Sequence, residues 1–264
     1  MTSEDWLSRL ISESLDTSVW GAFEPLNVER VRRKNASKTH FIPVGVRVFS
    51  GVVQAMNIRY GNFIQAVMNA LVAREPSLKL HPSSGRRVDF RIPGSLDAVV
   101  DNYITQRKRS SSVDPDNDYS AMRGSWLASD KSNLIASPND VDLLFRDSSG
   151  QMTYVELKFN DDHDTGKHPD IFRKLIKTGL AIEVQAREPV LPCVYFFNPG
   201  ERKLVKFLPD EQRLFGQDFF QRYLTIDYKE VADALSRVGI DTAIKKKFID
   251  FFLETVDAPK GDED

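Results

Sequence analysis

The chain has 264 residues, of which 41% are hydrophobic and 28% are charged, as is ordinary for a globular protein with a substantial core. Its formal net charge is −2, so it lacks the overall basic excess of a non-specific nucleic-acid-binding protein. No apolar run is long enough to span a membrane, and the N-terminal segment lacks the apolar stretch of a secretory signal. The single cysteine, Cys193, excludes a disulfide within the chain. We therefore expect a cytoplasmic protein.

The N-terminal quarter is predicted to be mainly helical. Apolar residues at the 3.6-residue period predict a helix over residues 2–20 and another over residues 59–74. Residues 28–38 form a basic stretch that is compatible either with phosphate contacts or with a solvated helix face. Residues 42–50 are predicted to form a short strand.

Residues 80–130 contain the least regular part of the predicted fold. Residues 80–95 hold several turn-forming prolines and glycines, and a helix is expected over residues 96–104. Residues 105–130 begin with a basic and polar run and continue with an acidic run that contains a proline. We predict a long loop here, which either closes around a bound partner or is disordered without one.

A β-hairpin followed by a crossover is predicted next. Residues 141–145 and 152–159 are two apolar runs separated by a tight turn, which is typical of a hairpin. A helix is expected to begin at Pro169, because proline is favoured at the first helical position. Residues 191–197 form a third strand. A strand, a helix and a strand in this order imply a parallel crossover beside the hairpin, and therefore a mixed sheet.

The predicted hairpin contains the candidate catalytic residues. Residues two apart on a strand share a face, so Glu156 and Lys158 point the same way, as do Asp140 and Asp142. The hairpin can bring Asp142 opposite Glu156. Two carboxylates can hold Mg²⁺, which prefers oxygen ligands, and a bound Mg²⁺ polarises a phosphate and acidifies water. Lys158 would add positive charge where negative charge develops. This combination suits phosphodiester hydrolysis.

A Glu-x-Lys pair has little specificity by itself, and a surface strand with a charged face is the alternative interpretation of Glu156 and Lys158. Three features favour the catalytic interpretation. The other face of the strand is strongly apolar, an Asp-led apolar strand precedes it by one turn, and an amphipathic helix and an apolar strand follow it.

The stretch from residue 137 to residue 200 resembles the PD-(D/E)xK nuclease superfamily and, within it, the type II restriction endonucleases. Asn139 follows the proline where the superfamily has its aspartate, so Asp140 and Asp142 are alternatives for the main metal ligand. Asp142 is favoured because it leads straight into the apolar strand. The residues after the second strand also resemble restriction enzymes of the HinfI type. The matching motif residues are Pro138, Asp142, Glu156 and Lys158.

The resemblance implies an α/β fold with a restriction-endonuclease-like core, in which a central mixed sheet of about five strands is flanked by helices. We expect a single nuclease domain over residues 1–256, with a catalytic core at about residues 137–200, helical N- and C-terminal extensions, and an acidic disordered tail over residues 257–264.

The resemblance also implies a function. It implies Mg²⁺-dependent, sequence-specific cleavage of double-stranded DNA that leaves 5′-phosphate ends. The enzyme would act as a homodimer in a restriction-modification system, beside a cognate DNA methyltransferase that protects the host. Resemblance to the HinfI type would imply GANTC as the recognition sequence.

Further residues are candidates for supporting or DNA-binding roles. Gln65 stands where the superfamily often has a glutamate, so it could orient water beside the metal, or be an ordinary polar helix residue. His163 is either a general base or phosphate contact, or a loop residue. Arginine suits bidentate contacts to guanine, and basic residues near the site suit phosphate contacts. The candidate DNA contacts are Arg107, Lys108, Arg109, Arg123, Lys167, Arg173 and Lys174.

Two other functions remain open from the sequence. One is a repair or recombination nuclease of the same fold, which would show no preference for a short palindrome. The other is a non-catalytic DNA-binding or structural protein whose charged strand only resembles the motif. A role in stability alone would predict that Glu156→Ala harms folding and not cleavage.

Overall fold

The structure is a computed structural model, and the chain divides in it into two compact units. One unit comprises residues 1–67 and 228–264, and the other comprises residues 68–227. No helix among the described residues is long and apolar enough to cross a membrane. The described residues are 3–19, 25–36, 41–109, 114–128, 132–160, 168–198 and 207–240, with 246, 249–251 and 253.

The first unit is helical where it is described. On the first helix, α1 (Ser3–Ser18), the buried side chains of Leu7 and Ile11 lie one turn apart, which confirms the helix predicted over residues 2–20. The helix α1 packs against α8 (Tyr228–Ile240). The elements are α1 (Ser3–Ser18), α2 (Pro25–Ala36), most of α3 (Val44–Arg74) and α8 (Tyr228–Ile240).

The strand predicted over residues 42–50 is wrong, because these residues form the beginning of α3. The buried residues Val48, Val52 and Met56 follow one another at four-residue spacing, which places them on one face of a helix. The β-branched residues of this run favour a strand locally, but burial along a helical stripe outweighs that preference. The helix predicted over residues 59–74 is the second half of α3.

The second unit is built on a mixed sheet of five strands in the order β1-β4-β5-β6-β7. The β1–β4 and β4–β5 pairs are antiparallel, whereas the β5–β6 and β6–β7 pairs are parallel. The predicted mixed sheet of about five strands is therefore confirmed. The strands are β1 (Lys79–Leu80), β4 (Leu143–Arg146), β5 (Met152–Lys158), β6 (Val190–Phe196) and β7 (Arg213–Phe215).

A tight turn joins β4 to β5 and fixes their register. The Asp147 carboxylate accepts hydrogen bonds from the backbone amides of Ser149 and Gln151, and Gly150 adopts a left-handed φ of 88°, which glycine tolerates without strain. Leu143 consequently pairs with Val155. The predicted hairpin is confirmed.

Helices cover both faces of this sheet. The crossover from β5 to β6 is α6 (His168–Ala186), which begins beside Pro169 as predicted and lies on the face that carries Tyr154. Phe219 of α7 (Gln217–Tyr223) packs edge-on against Phe145 and tilted against Tyr195 on the other face. Both faces of β5 are therefore buried, which explains why almost every residue of this strand is buried.

A second, two-stranded antiparallel sheet precedes the hairpin. It consists of β2 (Arg86–Pro93) and β3 (Leu134–Val141), and we call it the ribbon. The sequence predicted turns over residues 80–95, and this was wrong for β2. The prolines and glycines flank the strand at Pro82, Gly85 and Gly94, whereas its interior alternates between exposed and buried side chains.

The loop predicted over residues 105–130 is also wrong, because most of this segment is helical. It comprises the end of α4 (Ser95–Arg109) and all of α5 (Pro115–Ala128). Tyr119, Met122 and Trp126 are buried at helical spacing, and Pro115 starts α5. The exposed faces of these helices carry many polar residues, and this polar composition led to the prediction of a loop. The tail over residues 257–264 lies outside the described residues.

Candidate active site

The hairpin register brings the two predicted carboxylates together. Leu143 pairs with Val155, so the next position in the same register sets Asp142 opposite Glu156, on the same face. Asp142 lies between the end of β3 and the beginning of β4. Its Oδ2 accepts a hydrogen bond from the Leu157 amide at 3.0 Å, and its backbone carbonyl accepts one from Asn69 at 2.9 Å. These bonds fix the position of Asp142.

Glu156 is completely buried and is the centre of the cluster. Its Oε2 accepts a hydrogen bond from the Tyr154 hydroxyl at 2.7 Å. Its Oε1 accepts hydrogen bonds from Lys158 Nζ at 2.6 Å and from Lys174 Nζ at 2.8 Å. A buried carboxylate is stable only with such partners, so Tyr154, Lys158 and Lys174 together stabilise the charged form of Glu156.

Lys174 links the two carboxylates. It projects from α6, and its Nζ lies 3.6 Å from Asp142 Oδ1 as well as 2.8 Å from Glu156 Oε1. The other cations of this helix segment have partners elsewhere, since Arg173 pairs with Asp101 and Lys177 pairs with Asp97. Lys174 is therefore part of the charged cluster at this candidate site, and the four charged groups are Asp142, Glu156, Lys158 and Lys174.

Burial and mutual repulsion separate the acidities of the two carboxyl groups. Burial and, next, the charge of Glu156 raise the pKa of Asp142 to about 6, against the opposing effect of Lys174 and Lys158. Burial would also raise the pKa of Glu156, but Lys158 and Lys174 hold it below its usual value. Glu156 is thus the permanent anion of the pair, and Asp142 is the group that takes up a proton first.

The pKa of Lys174 reflects the same balance. Burial alone would lower it, whereas the charges of Glu156 and Asp142 raise it above the ordinary value of a lysine. Lys174 is accordingly a permanent cation beside two acidic groups.

The donor set fits a magnesium ion. Asp142 and Glu156 offer carboxylate oxygens, and both lie within 3.6 Å of one ammonium nitrogen, so a single cation can contact both. Among the described residues, no group of three or more acidic, histidine or cysteine side chains surrounds one point. This composition is typical of Mg²⁺ sites, which use one or two carboxylates and complete their coordination with water and substrate phosphate.

Asp140, the alternative metal ligand, lies apart from this cluster. Its side chain is 61% exposed on the ribbon, and among the described residues it forms an ion pair with Arg87 at 4.0 Å. Asp142 is 15% exposed and has direct contacts with the other active-site groups. The geometry therefore favours Asp142 as the main ligand, with Asp140 outside the first layer of contacts.

The predicted DNA contacts are scattered in the structure. Arg107 is buried and pairs with Asp118, and Arg123 makes two hydrogen bonds to Glu183. Both are largely occupied by structural ion pairs. Arg173 has acidic partners in Asp101 and Asp170, and Lys174 points into the active site. Of the candidate DNA contacts that the structure describes, Lys108 and Arg109, at the exposed end of α4, are the two that fit an exposed basic surface.

Three predicted residues cannot be related to the site. His163 and Lys167 lie outside the described residues, and Gln65 belongs to the first unit. Their proposed roles stay predictions.

Two supporting residues escaped the sequence analysis. Tyr154 was not among the predicted site residues, although it lies two positions before Glu156 and therefore on the same face. Its place in the pattern Tyr-x-Glu-x-Lys could have indicated it. Asn69 gave no signal, because the contact with Asp142 joins residues 73 positions apart.

The fold and the hairpin site together define a class of protein. A mixed sheet that presents Asp142, Glu156 and Lys158 from an antiparallel hairpin, followed by a helical crossover, has the architecture of the PD-(D/E)xK nucleases resembled by the sequence.

Sequence comparisons narrow this class to a family. The sequence profile of the family described as type II restriction endonuclease, HinfI, matches residues 2–239, so the chain belongs to this family. The chain is 29% identical over 253 residues to the type II restriction enzyme HinfI of Haemophilus influenzae, covering 94% of this chain and 97% of that enzyme. No solved structure shows a significant match. The protein is a site-specific deoxyribonuclease of a restriction system, as predicted.

Proposed function

We propose that Asp142, Glu156 and Lys158 form the catalytic centre of this endonuclease and that its metal ion is Mg²⁺. The observation that carries the proposal is the convergence of the buried Glu156 carboxylate and the 15% exposed Asp142 carboxylate on one ammonium group. Asp142 and Glu156 would hold the ion. When bound, Mg²⁺ polarises the phosphorus and lowers the pKa of a water molecule.

Lys158 and Tyr154 would assist the reaction at this centre. Lys158, which donates to Glu156 Oε1 at 2.6 Å, would orient the attacking water and stabilise negative charge that develops on the phosphate. Tyr154 holds the other oxygen of Glu156 and so fixes the carboxylate's orientation. Attack of water on phosphorus and departure of the 3′ oxygen would leave the 5′-phosphate ends expected for this class.

Lys174 is proposed as a second cation of the catalytic centre. The sequence suggested that it contacts a DNA phosphate, and its contacts with Glu156 and Asp142 support a location where the scissile phosphate would arrive. Its flexible stem allows the ammonium group to shift from the carboxylates to a phosphate oxygen. We infer that it neutralises charge in the loaded site.

A homodimer is proposed because two equivalent sites can cut both strands of a palindrome, since protein two-fold symmetry mirrors the symmetry of the DNA site. A cognate methyltransferase would protect host DNA, and the enzyme would act in the cytoplasm, where foreign DNA arrives. GANTC is the first recognition sequence to test.

A digest of unmethylated phage DNA tests this proposal. Discrete fragments that require Mg²⁺ and disappear in EDTA are expected, and end-sequencing would give the recognition site and the 5′ phosphate. A smear would contradict sequence-specific cutting, and cleavage in EDTA would contradict the metal dependence. Sedimentation of the purified protein with and without cognate DNA would test the dimer.

A further inference from the structure

The ribbon carries a row of charged side chains that the catalytic centre does not use. Arg87, Asp89 and Arg91 on β2 are exposed, whereas the residues between them are at least partly buried and pack in the core. Since residues two apart share a face of a strand, all three side chains point to the same solvent-facing side. We call this side of the ribbon, defined by Arg87, Asp89 and Arg91, the ribbon face.

The facing strand leaves these side chains accessible. Arg91 lies opposite Ala136 and Asp89 lies opposite Pro138, and neither of these β3 residues can pair with a charge. No hydrogen bond or ion pair joins Arg91 to another residue in the described part of the chain. Arg91 is therefore available to an external partner.

Arg87 forms only a weak ion pair. Its one ion pair with another described residue is with Asp140 at 4.0 Å, and both side chains are more than 60% exposed. Exposed ion pairs of this kind contribute between zero and about 1 kcal/mol, so a stronger ligand can displace the contact. Arg86 adds one more exposed positive charge at the same end of the ribbon.

The ribbon face begins next to the candidate catalytic centre and extends away from it along the two strands. The strand β3 ends at Val141, and the next residue is the predicted metal ligand Asp142. Arg87 lies opposite Asp140, close to this end, and Arg91 lies four residues farther along β2, at about 13 Å. A DNA duplex bound at the catalytic centre can therefore extend over the ribbon face.

We propose that the ribbon face lies in the major groove of the DNA substrate and recognises base pairs next to the cleaved phosphate. The major groove admits a two-stranded β-ribbon, arginine forms a bidentate pair with guanine, and aspartate accepts from the amino group of cytosine. Side chains two apart on a strand are about 7 Å apart, which matches about two base-pair steps of B-DNA. The buried Arg107 and the paired Arg123 are poorer candidates for this role.

This inference rests on the endonuclease function, and its test separates the two. Wild-type protein is first used to digest phage DNA and to define its cut site by end-sequencing. Two labelled duplexes follow, one with the cut site and one with the same bases scrambled. Dissociation constants for both are measured with Ca²⁺ in place of Mg²⁺, for the wild type and for Arg87→Gln, Asp89→Asn and Arg91→Gln. Arg187→Gln, which removes an exposed arginine after the C-terminal end of α6, is the matched control.

Arg91→Gln and Arg87→Gln are expected to weaken binding to the cut-site duplex by about 10- to 100-fold, the range of one bidentate base contact. Binding to the scrambled duplex should change by less than about threefold, as one lost charge affects non-specific binding little at moderate salt. Asp89→Asn should change the preferred base at one position in a digest of randomised duplexes. Arg187→Gln should resemble the wild type.

Two results would overturn the inference. One is unchanged binding to both duplexes in all three ribbon variants. The other is an equal loss on both duplexes, because this would mean phosphate contacts without base recognition. If the wild type made no discrete fragments, the endonuclease function itself would fail, which is a different outcome from wild-type cutting with unaffected ribbon variants.

Discussion

The β4–β5 hairpin and the ribbon are both antiparallel strand pairs of the same unit, and a single residue, Asp142, separates β3 from β4. Yet they treat charge in opposite ways. In the hairpin, Glu156 is fully buried and paired with two lysines. In the ribbon, Arg87 and Arg91 face solvent with little or no pairing.

The difference follows from dielectric environment. A charge in a dry site interacts strongly with its neighbours, but its desolvation is costly, so it persists only where it is paired or has a function. An exposed charge costs little and remains available to a ligand. We infer that the hairpin supplies chemistry and that the ribbon supplies recognition.

The largest effect is expected for Glu156→Gln, which keeps the shape of the buried side chain and removes its charge. A metal ion contributes several kcal/mol of transition-state stabilisation, so single-turnover cleavage should fall by about 10³-fold or more. Glu188→Gln is the control, because Glu188 pairs with Arg146 at the other end of the hairpin. Equal cleavage by both variants would break the assignment of Glu156 to the metal site.

A pair of aspartate variants tests whether Asp142 or Asp140 is the main metal ligand. Asp142→Asn should reduce cleavage about as strongly as Glu156→Gln, since both groups contact Lys174. Asp140→Asn should leave the cleavage rate within about threefold, because exposed side chains outside a site have small effects. Rate constants at saturating Mg²⁺ decide the matter, and the reverse order of effects would make Asp140 the ligand.

Lys174→Met should have an intermediate effect. It removes one of two lysines that neutralise Glu156, so we expect cleavage to fall by about 10- to 100-fold, less than for loss of a metal ligand. Lys177→Met is matched to it, since Lys177 lies one turn later on α6 and pairs with Asp97. Should the two variants cleave equally well, Lys174 would have no part in the reaction.

The smallest predicted effect concerns stability and pH. The folded state raises the pKa of Asp142 to about 6 through burial and the charge of Glu156, so between about pH 4 and pH 7 this carboxyl group is more protonated in the folded protein than in the unfolded chain. The contribution of Asp142 to stability in EDTA should therefore fall as the pH rises through this window. Asp142→Asn removes this contribution, which amounts to at most about 3 kcal/mol.

Thermal unfolding in EDTA at pH 5 and pH 8 measures that contribution. The loss of Tm between these two pH values should be several degrees larger in the wild type than in Asp142→Asn. Identical losses would mean that Asp142 titrates normally in the folded protein.

The same two regions show what the sequence could predict. The hairpin was predictable because its signals are local: two apolar runs, a tight turn and charged residues two apart on one strand. The ribbon was missed because Pro82, Gly85 and Gly94 surround β2, and this punctuation obscured the alternation of Arg87, Asp89 and Arg91. The partner strand of β2 lies more than 40 residues away in the sequence, beyond any local pattern.

The sequence predicted the two carboxylates and Lys158 of the candidate site, but it did not predict the contacts that other residues make with them. Lys174 was identified as basic and close in sequence, but only the packing of α6 on the sheet determines that it reaches Glu156 and that Arg173 does not. Burial of Arg107 by α5 was likewise invisible, because the polar composition of residues 105–130 favoured a loop.

The central claim is that Lys158 and its carboxylate partners perform the cleavage, whereas DNA recognition lies elsewhere. Lys158→Ala tests it most directly, with single-turnover cleavage of the cut-site duplex measured in Mg²⁺ and its dissociation constant measured in Ca²⁺. The account predicts that cleavage falls by about 10²- to 10³-fold while the dissociation constant stays within about threefold of wild type. Cleavage at the wild-type rate would contradict it.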